Sequence, residues 1–270
     1  MKKYLSILLA SAFFLILHCS EEDPVNPGKV QKYPDSLGTE WEYHTTYVLV
    51  FYDSSGIIYG EDTLDFGNTI AKVIKVNDSL ENYKDLSLLI SYDISSPQYV
   101  GNYWYKNSNN DFSLVAYSSA GSSQPILPKG NSLSYIELYF KHLKNALTPI
   151  LSGFHVSSID DTIYFNDPPR KVLQYPLIVG NTWVEMSSPF FRRRFISKKT
   201  DIDTPAGRFT CFVIETEMPE FPNIIFEDYL NLEQGLVLRK VRVDSMTHIV
   251  GSDTVGFFNS ASESKLIRKD

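Results

Sequence analysis

Hydrophobic and polar residues alternate with a period of two along most of the chain, the spacing of half-buried strands. In the first half such runs are WEYHTTYVLVFY (41–52), GIIYGEDTLDF (56–66), NTIAKVIKV (68–76), DLSLLISYDI (85–94) and YVGNYWYK (99–106). Residues 107–132 are rich in Ser, Asn, Gly and Pro around one short strand, Phe112 to Tyr117. Strands resume with SSIDDTIYF (157–165), KVLQY (171–175), TWVEM (182–186), FFRRRFIS (190–197), RFTCFVIETE (208–217), IIFEDYLN (224–231), LVLRKVRV (236–243) and SKLIRK (264–269). Asp53-Ser54-Ser55-Gly56, Thr204-Pro205-Ala206-Gly207 and Glu233-Gln234-Gly235 are short turn sequences between neighbouring runs. Strands joined so tightly must run antiparallel.

One segment has a different period. In SYIELYFKHLKNALT, Ile136, Tyr139, Phe140, Leu143 and Leu147 recur at spacings of three and four, with Ser134 and Glu137 as a capping box and Pro149 as the stop. The pattern predicts one central helix, with a strand over Tyr135 to Phe140 as the alternative, in a mainly β fold whose antiparallel meanders form a sandwich or a partly open barrel.

An internal echo suggests two similar β units. YPDSLGTEW (33–41) and YPLIVGNTW (175–183) share Tyr, Pro, Gly and Trp at the same spacing. Pro34 and Pro176 can start a turn, Gly38 and Gly180 can take positive φ, and Trp41 and Trp183 would begin a strand. The expected organisation is a first β unit over 33–130, a helix-containing connector over 131–150 and a second β unit over 151–270.

The N-terminus carries an address. Lys2 and Lys3 precede an apolar run from Leu5 to Leu17, too short to cross a bilayer core, which takes about 20 residues. This is the layout of a secretory signal peptide, here residues 1–18. A tether with Pro24, Pro27 and Gly28 follows over 19–32. The segment LILHCSEEDPVNPG resembles the lipobox and tether of bacterial lipoproteins, with Leu15, Ile16 and Leu17 as the apolar part and Cys19 as the acylated thiol. His18 stands where that family places a small residue. Ser20 in place of Asp resembles sorting to the outer membrane, and Glu21, Glu22 and Asp23 resemble the acidic signal of surface-exposed lipoproteins. The resemblance implies a lipid-anchored protein of the outer membrane, on its periplasmic face or at the cell surface. YPLIVGNTW, TPAGRFTCFVIE and LNLEQGLVLRKV resemble, in order, the PLxxGxxW, PAGxFxC and GLV elements of uncharacterised bacterial envelope lipoproteins. Those elements are turns and strand starts, so they imply a fold and no catalytic residue.

Charge sharpens this picture. The 270 residues carry 25 basic and 32 acidic side chains, and without Lys2 and Lys3 the mature chain has a net of −9. Such a chain is poorly suited to neutralising nucleic-acid phosphates, and an anionic membrane would repel it, so lipid must do the anchoring. The aromatic share of 14% favours a pleated surface. With Cys19 acylated, Cys211 has no disulfide partner, and its place in RFTCFVIETE reads as core packing.

Chemistry is sparse. The His residues at 18, 44, 142, 155 and 248 form no ligand pair, no GxSxG elbow occurs, and Asp160-Asp161 with Asp167 lacks the order of a calcium loop. No catalytic residue, metal site or cofactor is expected. The basic cluster of Arg192, Arg193 and Arg194 puts Arg192 and Arg194 on one strand face, where two guanidiniums could take a phosphate or sulfate of a glycolipid or glycan. Tyr103 and Tyr105 share a face opposite Trp104 and are the candidate aromatic contacts for a ligand. The leading expectation is a non-catalytic binding or structural module of the envelope. The alternatives are a carrier holding an apolar small molecule in a β cavity, and a surface hydrolase.

Overall fold

Twelve strands follow from the period-two pattern, and short turns join most of them into a single antiparallel sheet. The computed structural model describes residues 30–95, 97, 100–120, 159–187, 191–250 and 253–270, and Gln31–Asp270 form one compact unit. The strands are β1 (Glu40–Asp53), β2 (Ile58–Leu80), β3 (Tyr83–Asp93), β4 (Val100–Asn107), β5 (Asp111–Ala120), β6 (Ile159–Gln174), β7 (Thr182–Met186), β8 (Arg192–Thr204), β9 (Gly207–Glu217), β10 (Ile224–Asn231), β11 (Gly235–Val250) and β12 (Asp253–Lys269). Their order in the sheet is β6-β5-β4-β3-β2-β1-β12-β11-β10-β9-β8-β7. The sheet curls into a nearly closed barrel whose end strands, β6 and β7, meet through side chains. Mainly β architecture built from meanders is thus what the alternation predicts. Among the described residues there is no helix, and the helical pattern around Ile136–Leu147 lies outside them.

Several strands are longer than the sequence implies, β8, β11 and β12 among them, and in β2 and β6 the extra length comes through a bulge. In β2 the chain bulges at Gly67, which takes a φ of 73° while its N–H donates to Asp65 Oδ1 at 2.7 Å, and the register against β1 slips between His44 and Thr46. In β6 the register against β5 slips between Leu114 and Ala116, opposite Arg170 and Phe165, so Asn166–Pro169 bulge out. Both bulges let a strand pass through residues that sequence patterning reads as breaks.

The echo in the sequence is an echo in structure. Gly38 has φ 87° and Gly180 has φ 92°. Around Gly38, its own N–H donates to Val73 O, the Thr39 N–H to Ser36 O, and the Val73 N–H to Thr39 O. Around Gly180, its own N–H donates to Ile196 O, the Asn181 N–H to Ile178 O, and the Ile196 N–H to Asn181 O. The same turn therefore feeds β1 against β2 and β7 against β8. Each turn opens a run of six strands, β1–β6 and β7–β12. The two openings also touch: the Tyr33 N–H donates to Tyr175 Oη at 2.7 Å, and Asn107 Nδ2 donates to Tyr33 O at 2.9 Å.

The interior is assembled from inward residues of nearly every strand. Tyr33, Trp41, Tyr43, Val73, Leu89, Tyr105, Phe112, Leu114, Trp183, Ile196, Ile214, Leu236 and Leu266 belong to one buried cluster. Trp41 Nε1 donates to Gln234 O at 2.6 Å and Trp183 Nε1 to Lys171 O at 3.1 Å, so each buried indole N–H has its acceptor. Gly235, at φ 87°, lies so close to these rings that a Cβ there would stand 2.9 Å from Trp41 Nε1 and 3.0 Å from Tyr33 Oη. Cys211 is buried with Val213, Tyr229, Val237 and Leu238, and burial pushes its thiol up to about 12, as expected of a packing residue.

Outward faces carry ion pairs: Arg193 with Glu217, Lys240 and Lys265 with Glu263, Arg268 with Glu42, and Lys72 with Glu40. A transmembrane barrel has the reverse pattern, with an apolar outer band and a polar lumen.

Candidate functional site: a buried arginine–carboxylate cluster

The inward faces of β6, β7, β8, β10 and β11 bring together six charged side chains in an otherwise apolar interior. They are Arg170, Glu185, Arg192, Arg194, Asp228 and Arg239, all buried. Alternation places each of them. Glu185 sits two residues after the buried Trp183, Arg192 and Arg194 precede the buried Ile196, and Asp228 lies between Phe226 and Leu230. Arg239 shares its face with Val241 and Val243.

Glu185 is the first hub. Its Oε1 accepts from Arg170 Nε at 2.5 Å, and its Oε2 accepts from Arg194 Nε at 2.7 Å. Arg192 Nη1 stands 3.7 Å from Oε1, an ion contact beyond hydrogen-bond length. Asp228 is the second hub. Arg239 grips it with two donors, Nε to Oδ1 at 2.6 Å and Nη2 to Oδ2 at 2.9 Å, and Arg194 Nη1 reaches Oδ2 at 3.2 Å. Arg194 therefore bridges the two carboxylates. The Arg239 guanidinium also lies 5.0 Å from the Phe226 ring centre.

The cluster closes the barrel where backbone pairing does not. β6 and β7 end the strand order, and Arg170 on β6 clasps Glu185 on β7. Beside that ion pair, the Trp183 indole donates to the Lys171 carbonyl across the same seam.

Electrostatics holds every carboxylate ionised. Burial alone would raise the Glu185 carboxyl, yet Arg170, Arg192 and Arg194 hold it well below the usual carboxylate range. Burial likewise opposes ionisation of Asp228, and Arg239 and Arg194 overcome it. For Arg192 burial prevails: only Glu185 offsets it, Arg170 and Arg194 add repulsion, and the guanidinium is lowered to about 9.

These directions fix a pH dependence. A carboxylate depressed in the folded state lends stability that is complete above its unfolded pKa and is lost as pH falls through the folded value. The urea midpoint should therefore fall as pH drops below about 5 and through the ordinary carboxylate range. Acid protonation of Glu185 and Asp228 would leave four guanidiniums without a counter-charge, so denaturation below that range should be cooperative. A midpoint unchanged between pH 7 and pH 3 would mean that the cluster contributes nothing to pH stability.

Sequence reasoning placed Arg192 and Arg194 on one face, away from Arg193, and the strand does this. That face points into the barrel, with Arg192 at 1% and Arg194 at 2% exposure, so neither is offered to a large glycan on an open strand. Tyr103 and Tyr105 likewise share an inward face in the main cluster, opposite Trp104, and neither forms a surface platform. Glu185, Asp228, Arg170 and Arg239 were not singled out from the sequence. The usable signal was a charged residue landing on the apolar face of an alternating strand. Cys19 and His142 lie outside the described residues. His44 Nδ1 meets Asn68 Oδ1 at 2.8 Å and His248 Nδ1 meets Tyr59 Oη at 2.6 Å, so neither forms the serine–imidazole pair of a hydrolase. Among the described residues no group of three or more His, Cys, Asp and Glu side chains could hold a metal ion.

No protein-family model matches the chain, and no curated protein matches it by sequence. Two crystal structures resemble it over most of its length. A protein described as exported, with a YmcC-like fold, from Bacteroides fragilis NCTC 9343 is 11% identical; the match covers 90% of this chain and 100% of that one, with a TM-score of 0.37. A protein described as a lipoprotein, from Parabacteroides distasonis ATCC 8503, is 13% identical, with 88% and 97% covered and a TM-score of 0.31. Neither likeness is close enough to bear on the chemistry of this chain.

Proposed function

We propose that this chain is a lipid-anchored envelope protein of the outer membrane, a non-catalytic binding or structural module whose barrel works in water. The observation that carries this reading is the apolar run ending at Cys19, followed at once by an acidic, Pro- and Gly-containing tether. The fold supports it from the other side. With ion pairs on its outward faces the barrel suits water, and the net charge of −9 on the chain without residues 1–18 gives it no attraction to an anionic bilayer. Acyl chains supply what the surface lacks, at about 0.8 kcal/mol per buried methylene, and two or more chains hold a protein stably.

The interior favours this reading over a carrier of an apolar molecule. Among the described residues its inward faces are lined by packed aromatic and aliphatic side chains, and its polar part holds six buried ionised groups that an apolar guest could not pair. Replacing Cys19 by Ala should move the protein from the membrane fraction to the soluble one while leaving the barrel folded. Retention of most of the variant on membranes would show that something other than lipid holds it there.

A further inference from the structure

The sheet is not paired along its whole length. β1 and β2 pair from Glu40 with Lys72 to Tyr52 with Ile58, whereas β3 meets β2 only from Thr69 with Asp93, extended by the Ile94 N–H donating to Asn68 O. Among the described residues β2 is therefore an open edge over residues 58–67, a row of backbone donors and acceptors that no strand meets. At its start the chain is exposed and apolar, with Ile57 at 65%, Ile58 at 58% and Tyr59 at 54% exposure. Charge is the usual defence of an open edge against association, and a run of exposed apolar residues works against that defence.

Charge decides what the edge can take. Pairing with β1 puts Glu61, Thr63 and Asp65 on one face of β2, opposite Val50, Val48 and Thr46, and Asp62 and Leu64 on the other, opposite Leu49 and Tyr47. The three acids are exposed, and among the described residues only Asp65 has an ion contact, to His44 Nε2 at 3.6 Å. No Lys or Arg occurs between Lys32 and Lys72. A second copy of this edge would bring three acids against three, and like charges on neighbouring strands repel. An extended segment with Lys or Arg at alternate positions gains where a second copy loses.

We infer that the open edge of β2 accepts an extended basic segment of a partner protein as an added strand. The partner's backbone pairs with residues 58–67, and its Lys or Arg side chains stand opposite Glu61 and Asp65. The apolar residues that alternate with them share the face of Leu64, and Ile58 and Tyr59 extend the contact toward the hairpin tip. Main-chain hydrogen bonds give such a contact its affinity, and alternate side chains its choice of partner. The inference rests on the reading of the chain as a binding module and names the class of partner.

The test is fluorescence anisotropy of a labelled, end-blocked peptide alternating lysine and valine, titrated with the full chain in uncharged detergent, with amide hydrogen exchange read on the same complex. Saturable binding is expected, weakened by salt, with exchange slowed within residues 58–67. Glu61→Lys combined with Asp65→Lys, both exposed, should weaken binding by about tenfold or more. Asp203→Lys combined with Glu233→Lys makes the same change of net charge at exposed acids elsewhere on the molecule and should leave most of the affinity in place. Absence of saturable binding by wild type, an equal loss in that second pair, or equal binding of the peptide with every amide N-methylated overturns the added strand. A wild-type dimer with residues 58–67 already protected overturns it too, by giving the edge to a second copy. Cys19→Ala should bind the peptide as wild type does, so failure of the anchor and failure of the edge give separate results.

Discussion

Replacing Glu185 by Gln should destabilise the folded protein by about 3–5 kcal/mol, the usual consequence of removing one partner from a buried ion pair. The substitution keeps shape and volume, so the loss isolates charge. Three arginines face this carboxylate: Arg170 and Arg194 within hydrogen-bond range and Arg192 in ion contact at 3.7 Å. Without it Asp228 alone would oppose four guanidiniums, and β6 and β7 would lose the clasp that joins them. A second change, Arg192→Met, should recover part of the loss, because it removes the charge that Glu185 leaves most exposed to repulsion. Chemical denaturation of wild type, both single variants and the double variant measures the coupling. An effect of Glu185→Gln below about 1 kcal/mol, the range of an exposed pair, would mean that water reaches the cluster and screens it.

Truncating either Trp41 or Trp183 to Ala should cost about 3–5 kcal/mol each, the range for a large aromatic side chain lost from a packed core. Both are buried, and both donate an indole N–H to a backbone carbonyl that the truncation leaves unmet. The expected equality is the informative part. The two residues start β1 and β7 from turns with the same hydrogen bonds and the same positive φ at glycine, so similar losses are expected of the two six-stranded halves. Trp→Phe at either position keeps most of the packing and should cost about 1–2 kcal/mol through the lost hydrogen bond. A large loss at one position with almost none at the other would mean that the two turns do different structural jobs despite their shared geometry.

Much of the sheet was legible because alternation is a local signal. TWVEM and IIFEDYLN coincide with β7 and β10, since each is bounded by turn residues and has a clean inward face. Gly67 and the pair Pro168-Pro169 divided β2 and β6 into two runs each, because in isolation such residues end strands, and only the neighbouring strand shows that they bulge. The shared turn at Gly38 and Gly180 was readable from four matched residues, which specify the same backbone path.

The ion cluster was half legible. That Arg192 and Arg194 share a face follows from period two; that this face is the inside depends on which way the sheet curls. Glu185 meets Arg170 across the seam between β6 and β7, and Arg194 meets Asp228 from a strand 34 residues away. Register and closure decide such pairings, and neither is written in a local window. A charged strand residue is usually solvated, so Asp228, though in phase with the inward Phe226 and Leu230, is not read as buried until Arg239 is found opposite it.

The proposed placement of the molecule rests on one covalent bond. Intact-mass and tandem mass spectrometry of the N-terminal peptide from native membranes reads it directly. The account predicts that residues 1–18 are absent and that the Cys19 sulfur carries a diacylglyceryl group. An unmodified Cys19 thiol, or a chain still beginning at Met1, would contradict it.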